Sequence, residues 1–355
     1  MNIQELLQLT IKNNASDLHL ISGIPPTIRV DGLLIPISGY PELSSQDIEA
    51  MVFSLLTPER KELFTANKEL DFSLTFGGGL YGDEGRFRVN LYYQLGLVSA
   101  DFRFLSHNIR AIAELGLPKI LNTFADLKQG FILVTGPTGH GKSTTLAAII
   151  NSINLTKPVH ILTIEDPIEY VYPKGKSIIS QREMGVDTHS WSMALREALR
   201  EDPDVVLVGE MRDPETMEAA ITVAETGHLV FSTLHTNSAS QSIDRIVGAF
   251  PPHQQTQIRL QLADTLKGII SQRLLPQING GRVAAVEVLI GNTAIASNIR
   301  DGKTQLIDSV IQTSGSTGMI TMEASLASLV TSGAITLEIA RRYALHEDEF
   351  LRLIG

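Results

Sequence analysis

Residues 130–151 constrain the fold more than any other stretch of the chain. They read GFILVTGPTGHGKSTTLAAIIN: an apolar run rich in β-branched residues, a glycine-rich loop, and a segment of helical character. The loop, residues 136–143, fits the phosphate-binding pattern G-x-x-x-x-G-K-[ST]. Because a predicted buried parallel strand precedes it and a predicted helix follows it, the pattern indicates an α/β nucleotide-binding domain.

Each part of this loop has a predicted role. The glycines let the backbone bend until successive N–H groups face one concavity, and the helix adds the positive end of its dipole, so a triphosphate fits there. Lys142 should reach the β- and γ-phosphate oxygens, and the Ser143 hydroxyl should ligate the Mg²⁺ that accompanies the nucleotide. The predicted nucleotide-binding residues are Gly136, Thr138, Gly139, His140, Gly141, Lys142, Ser143 and Thr144.

Composition limits the classes of protein and partner. With 355 residues, 43% of them hydrophobic, the chain is long enough for about two domains. A net charge of −10 gives no global basic field to hold a nucleic acid, so none is expected as a partner. The chain has no cysteine, which excludes disulfides and thiolate metal sites. The pattern shows no signal peptide or membrane span, so we expect a cytoplasmic protein whose membrane association comes through a partner.

The order of predicted elements divides the chain. Residues 1–106 alternate strands and helices typical of a small α+β domain, and residues 107–117 form a predicted linker. In residues 118–355 short apolar strands alternate with helices, as in nucleotide-binding α/β domains. Helices are expected to dominate from about residue 251, including one over 257–275.

Two acidic clusters are candidates for the chemistry that a phosphate loop needs. Glu210 follows the apolar strand 205–208, where an acid would hold Mg²⁺, although an ion pair with Arg212 is an alternative interpretation. Glu165, Asp166 and Glu169 form the second cluster, and a carboxylate there could orient and deprotonate the attacking water. The pattern alone does not choose among these three.

Histidines and arginines are further candidates. His228 and His235 bracket one apolar strand; seven residues apart, they would face opposite sides and share no metal, and a purely structural role is the alternative for each. Arg86 and Arg88 alternate on one strand face, and Arg103 lies on another strand. An arginine from a neighbouring subunit can stabilise a γ-phosphate in the transition state, whereas most surface arginines are merely solvated.

Several motifs together resemble the secretion ATPase superfamily and, within it, the PilT-type retraction ATPases of type IV pili. The matching stretches cover nearly the whole chain: ASDLHLISGIPPTIRVDG (15–32), RFRVNLY (86–92), GPTGHGKST (136–144), ILTIEDPIEY (161–170), ALREDPDVVLVGEMRD (198–213) and AETGHLVFSTLHT (224–236). The resemblance implies a PAS-like α+β N-terminal domain, a RecA-like ATPase domain with a helical C-terminal part, and a hexameric ring that hydrolyses ATP with Mg²⁺.

The resemblance also implies residue roles that spacing left open. Glu169 matches the family's catalytic glutamate, and Glu210 matches its Walker B glutamate. His228 and His235 match the histidine box, which links nucleotide state to domain position. The family's N-domain arginines, which approach nucleotide across domain or subunit boundaries, correspond to Arg86, Arg88 and Arg103.

Two positions depart from the family pattern. His140 stands in the phosphate loop where the family usually has a small serine, and since only its backbone need face phosphate, activity should survive. In TAIASNIRDGK (293–303), Ala296 stands where the first arginine of the family's retraction motif belongs. The second departure weakens the prediction of retraction more than that of ATP hydrolysis.

The function implied is an ATPase motor for type IV pilus disassembly. It would dock under an inner-membrane platform protein, act on the pilin fibre indirectly, and lie in the cytoplasm at the inner membrane. The rival within the superfamily is a pilus extension or type II secretion ATPase, which usually carries a further N-terminal domain and often a four-cysteine zinc insertion. The other rivals are an accessory paralogue that only regulates another pilus ATPase, and a DNA-translocating motor, which the acidic balance disfavours.

Overall fold

The contacts of the chain divide it into two compact units. The computed structural model describes residues 2–30, 32–77, 85–105 and 109–355. The first unit comprises Met1–Asn108 with Pro167–Pro173, and the second comprises Ile109–Asp166 with Lys174–Gly355. The grouping of Pro167–Pro173 with the first unit was not anticipated from the sequence. The predicted linker 107–117 lies partly outside the described residues, and the predicted domain boundaries stay predictions.

The first unit contains one antiparallel sheet with the strand order β3-β2-β1-β6-β5-β4. In chain order its described elements are α1 (Ile3–Lys12), β1 (Asp17–Leu20), β2 (Thr27–Val30), β3 (Leu33–Pro36), α2 (Ser45–Phe53), α3 (Pro58–Asn67), β4 (Glu69–Phe76), β5 (Gly85–Gln94) and β6 (Leu97–Leu105). Helix α2 begins after Ser44, whose hydroxyl accepts the N–H of Asp47, and α3 begins with a proline after a threonine cap.

The two faces of this sheet differ in polarity because side chains alternate along each strand. On β5, Phe87, Val89 and Leu91 are fully buried and pack with the apolar side of α1 in one core. Arg86 and Arg88 therefore lie on the opposite face. The alternation predicted from the sequence thus places the arginines on a polar face of the first unit.

The second unit contains a seven-stranded sheet with the order β13-β12-β7-β11-β10-β8-β9, parallel except for the antiparallel edge pair β12–β13. Its strands are β7 (Gly130–Thr135), β8 (His160–Glu165), β9 (Ile178–Glu183), β10 (Val205–Val208), β11 (Leu229–Leu234), β12 (Leu266–Pro276) and β13 (Arg282–Ile290). Its α-helices are α4 (Leu121–Asp126), α5 (Lys142–Thr156), α6 (Trp191–Ala198), α7 (Pro214–Glu225), α8 (Ala239–Gly248), α9 (Pro252–Thr265), α10 (Thr293–Arg300), α11 (Ile307–Thr313), α12 (Met322–Thr331), α13 (Leu337–Tyr343) and α14 (Glu347–Ile354).

This strand order brings several loops to one edge of the sheet. Strand β11 lies between β7 and β10, with Thr135 opposite Leu234 and Val208 opposite Ser232. Because the three strands are parallel, the segments that follow them all emerge at the carboxyl edge. The phosphate loop follows β7, His235 follows β11, and Glu210 lies two residues after the end of β10.

One predicted helix was wrong in its second half. The segment 257–275 is helical only to Thr265, and Leu266 begins β12. The run GIIS at 268–271 is fully buried in the sheet, where β-branched residues pack well, and β12 pairs in parallel with β7. The α/β fold class is otherwise as predicted, and α10–α14 form the helical C-terminal part. Across the described residues, no helix combines the length and the apolar character needed to cross a membrane.

Candidate nucleotide site

The phosphate loop joins a buried strand to the start of a long helix. All six residues of β7 are buried, and α5 begins at Lys142 directly after Gly141. Gly141 adopts the left-handed conformation, with φ of 81°, and offers no side chain to cap the helix. The amides of the first turn are therefore available to an anion, so the loop fits the phosphates of a nucleotide.

Lys142 is folded over this loop. Its side chain is largely buried, with a relative exposure of 8%. Its Nζ donates hydrogen bonds to the carbonyl oxygens of Gly136 at 2.9 Å and Pro137 at 3.0 Å. The ammonium group thus lies inside the loop, close to where a bound phosphate would need a cation.

Two glycines of the loop are required by β12 as well as by the phosphate. A Cβ atom on Gly136, whose φ is 144°, would lie 2.4 Å from the carbonyl oxygen of Gln272. A Cβ atom on Gly141 would lie 2.8 Å from Nε2 of the same glutamine. Any larger residue at either position would push the loop away from the neighbouring strand.

His235 connects the phosphate loop to Glu210. The imidazole Nδ1 lies 3.4 Å from the Thr138 hydroxyl, and Nε2 lies 3.3 Å from a Glu210 carboxylate oxygen. Glu210 also forms an ion pair with Arg212, so the alternative interpretation of this carboxylate is realised alongside the contact with His235. The structure therefore brings Thr138, His235 and Glu210 together at the carboxyl edge.

The three acids of the second cluster differ in their surroundings. Glu165, the last residue of β8, is buried and accepts hydrogen bonds from the Thr163 hydroxyl at 2.7 Å and from Gln181 at 3.5 Å. Asp166 and Glu169 are exposed, and Glu169 belongs to the stretch grouped with the first unit. Exposure leaves Glu169 and Asp166 better able than Glu165 to reach a water molecule.

His228 is not brought to the phosphate loop. It precedes the amino end of β11, where Leu229 pairs with Gly130, so it lies roughly 20 Å along the strand from His235. Its Nδ1 lies 3.0 Å from the carbonyl oxygen of Val223 and 3.0 Å from the hydroxyl of Thr226. The two histidines of the motif occupy opposite edges of the sheet.

The three arginines share one face of the first unit. Arg88 lies directly opposite Arg103 on the neighbouring strand. Arg103 Nε donates to Asp17 at 2.9 Å, Arg88 donates to Asp71 at 3.1 Å, and Arg86 donates to a threonine hydroxyl at 3.4 Å. Burial alone would raise the pKa of Asp17, but hydrogen bonds from Ser16 and Arg103 outweigh it and lower the pKa below its ordinary value.

A buried polar chain beneath the edge was missed from the sequence. The Thr135 hydroxyl, at the end of β7, donates to Ser271 at 3.1 Å, and Ser271 donates to Glu287 at 3.2 Å. Glu287 also accepts the N–H of Ala239, the first residue of α8, at 2.7 Å. Burial, followed by the negative charges of Asp308 and Glu323, raises the pKa of Glu287 to about 7. A glutamate inside the apolar run AAVEVLI was the signal available in the sequence.

Comparison with known proteins decides the family. The family model described as "Type II/IV secretion system protein" matches residues 103–338. The chain belongs to this family. The "Type IV pilus retractation ATPase PilT" of Pseudomonas aeruginosa is 46% identical over 350 residues, which are 99% of this chain and 100% of that protein. The predicted resemblance to PilT-type members of the secretion ATPase superfamily is confirmed.

Further relatives support the same fold and enzyme class. The "Type IV pilus ATPase PilU" of the same organism is 39% identical and covers 97% of this chain and 89% of its own length. A crystal structure of the pilus retraction motor PilT with bound ADP matches with a TM-score of 0.92 and 48% identity over 99% of both chains. The α/β fold and the prediction of a nucleotide-binding ATPase of this family are thereby confirmed.

Proposed function

We propose that this protein is a hexameric, Mg²⁺-dependent ATPase motor that couples ATP hydrolysis to disassembly of a type IV pilus. One observation carries the proposal: a complete phosphate loop, linked by His235 to Glu210, lies in a chain that is 46% identical over its length to a pilus retraction ATPase. The same cluster argues against a non-hydrolysing scaffold, which would not need to keep these groups in contact.

Each candidate residue has a role in this proposal. Lys142 and the amides at the start of α5 hold the β- and γ-phosphates, and Ser143 with Glu210 would hold the metal ion. When bound there, Mg²⁺ would supply positive charge for the phosphate oxygens. Glu169 orients the attacking water and accepts its proton. His235 contacts both the phosphate loop and Glu210, so its position depends on both sides of the site.

Assembly into a ring would bring positively charged arginines to the γ-phosphate. Arg86, Arg88 and Arg103 lie on the first unit, away in sequence from the phosphate loop, and assembly with a second copy is one way to bring an arginine to the γ-phosphate. The proposed ring sits on the cytoplasmic side of the inner membrane, bound to a platform protein of the pilus machine. Its contact with the pilin fibre is then indirect.

A second candidate, an accessory retraction ATPase, is favoured by helix α10. Ala296 stands at the position of the missing arginine and packs, partly buried, against the core of the second unit. Arg300, one turn later, is present and pairs with Asp264 at 3.3 Å. If the missing guanidinium is essential for pulling, this chain assists a second motor. The 39% identity to PilU, a pilus ATPase, is compatible with either role.

A complementation experiment tests the proposal. Deletion of the gene should leave surface pili that do not shorten, and the native chain should restore retraction, whereas Lys142→Ala should not. Absence of pili in the deletion strain would instead indicate an extension motor.

Complementation with Ala296→Arg, beside Ser297→Arg on the exposed side of the same helix, separates the two retraction roles. Retraction that returns only with Ala296→Arg would assign this chain the accessory role.

A further inference from the structure

Strand β12 contacts the phosphate loop through side chains that no motif singles out. Gln272, only 3% exposed, donates from Nε2 to the carbonyl oxygen of His140 at 2.7 Å. Its Oε1 accepts the hydroxyl of Thr145, on α5, at 2.7 Å. One buried amide therefore joins the strand, the loop and the first turns of the helix.

His140 completes this attachment. Its Nδ1 accepts the backbone N–H of Leu274, also on β12, at 3.0 Å. An imidazole nitrogen that accepts an N–H carries no hydrogen, so His140 is neutral here with its hydrogen on Nε2. A serine at this position would end one bond short of the atom that accepts from Leu274.

The charges around His140 favour the neutral ring. Burial, followed by the positive charges of Arg273 on β12, Lys142 in the loop and Arg282 on β13, lowers the pKa of His140 below its ordinary value of 6.5. Arg282 also approaches the carbonyl oxygen of Gly139 at 3.5 Å. At neutral pH the ring therefore accepts from Leu274, and a second proton would remove the acceptor.

We propose that Gln272 and His140 are positioning residues that brace the phosphate loop against β12, in the shape that receives nucleotide phosphates, and that protonation of His140 releases its half of the brace. The proposal rests on the nucleotide-binding function proposed above. Its physical basis is that a loop held in its binding shape loses less conformational entropy when the nucleotide arrives. Gly136 and Gly141 approach Gln272 so closely that the phosphate loop lies directly against β12.

The test compares His140→Ser with His253→Ser, the same chemical change at an exposed position of α9. Binding of a fluorescent ADP analogue to the full chain is measured from pH 8 to pH 5.5. Loss of one hydrogen bond should raise the Kd of His140→Ser about 3- to 10-fold at pH 8 and should lower the melting temperature by no more than about 4 °C. As the pH falls, the ratio of its Kd to the wild-type Kd should approach one, because protonation releases the wild-type brace too. Taking the ratio cancels the titration of the nucleotide itself.

Three results with the histidine variants would overturn the proposal: an unchanged Kd in His140→Ser at pH 8, an equal change in His253→Ser, or a ratio that stays constant or grows at low pH.

Gln272→Met, which keeps the side-chain length but removes both amide contacts, should raise the KM for ATP more than it lowers kcat. A loss of kcat with normal KM and Kd would also contradict the brace. If the native chain binds the ADP analogue but hydrolyses no ATP, the proposed motor function is wrong. The ratio of the variant Kd to the wild-type Kd still tests the brace in that case.

Discussion

The carboxyl edge of the seven-stranded sheet and the polar face of the six-stranded sheet both gather charged side chains, but in different ways. At the edge, Lys142, Glu210 and His235 belong to segments that follow buried parallel strands, and parallel pairing brings these segments to one edge. On the face, Arg103 and Asp17 lie inside antiparallel strands, 86 positions apart, and only register brings them together. The residues of the carboxyl edge can therefore be recognised from local sequence motifs. The residues of the polar face are brought together only by the pairing of strands.

Burial also separates the two regions. Lys142 is buried, whereas the side chain of Arg103 is 68% exposed even though it forms an ion pair. An exposed ion pair contributes roughly 0 to 1 kcal/mol to folding, so Arg103 is not explained by stability alone. Substitutions at the carboxyl edge should abolish ATP hydrolysis by the chain that carries them. Substitutions on the polar face should reduce ATP hydrolysis only through the proposed assembly.

The largest expected effect is at the edge, in Lys142→Ala. Lys142 is the proposed cation for the β- and γ-phosphates, so its removal should lower kcat/KM for ATP by a factor on the order of 100 or more. The matched control is Lys128→Ala, an exposed lysine just before the other end of β7. Steady-state hydrolysis and nucleotide titration measure both, and equal losses in the two variants would contradict a specific role for Lys142.

Glu169→Gln should have the next largest effect and a different signature. Glu169 is the general base in the proposed mechanism, so its loss should slow turnover by a factor on the order of 100 to 1,000 with little change in nucleotide Kd. Asp166→Asn, the other exposed acid of this cluster, should retain most of its turnover. The reverse order of the two variants in single-turnover hydrolysis would transfer the role to Asp166.

Arg103→Ala tests whether the polar face works through assembly. The proposal assigns Arg103 the role of a cation for the γ-phosphate, so turnover should fall about 10-fold or more, and the melting temperature should change little. Arg29→Ala is the control, since Arg29 lies 3.9 Å from the same Asp17 on the same face. Mixing Arg103→Ala with Glu169→Gln subunits should give a non-linear dependence of activity on composition. Full activity of a monomer in light scattering would contradict this.

The smallest expected effect concerns the buried chain beneath the edge. Glu287 keeps its proton up to about pH 7 in the folded chain, whereas its ordinary pKa is 4.5. Its contribution to stability is therefore complete below pH 4.5 and is lost as the pH rises to about 7. Between pH 5 and pH 8, the melting temperature of Glu287→Gln should shift relative to wild type, in favour of the variant, by a few degrees, on the order of 5 °C. Glu338→Gln, an exposed control, should show no such trend.

Much of the edge could be predicted from the sequence. The phosphate loop, the strand before it and the helix after it were recognised because a turn that holds phosphate is built from consecutive backbone groups, whose conformations depend on local glycines. The shared face of Arg86 and Arg88 followed from the two-residue period of a strand. The helix predicted over 257–275 failed at Leu266 because pairing with β7 overrides helical periodicity there.

By itself, then, the sequence predicted the phosphate loop, the residues expected to bind phosphate, and the family to which the chain belongs. Only the tertiary structure decided what holds that site in place. Gln272 contacts His140 across 132 residues, Thr135 reaches Ser271 across 136, and His228 is separated from its motif partner by the length of β11. The physical reason is that hydrogen bonds between strands depend on strand order and register, and those are set when the sheet assembles rather than by neighbouring residues.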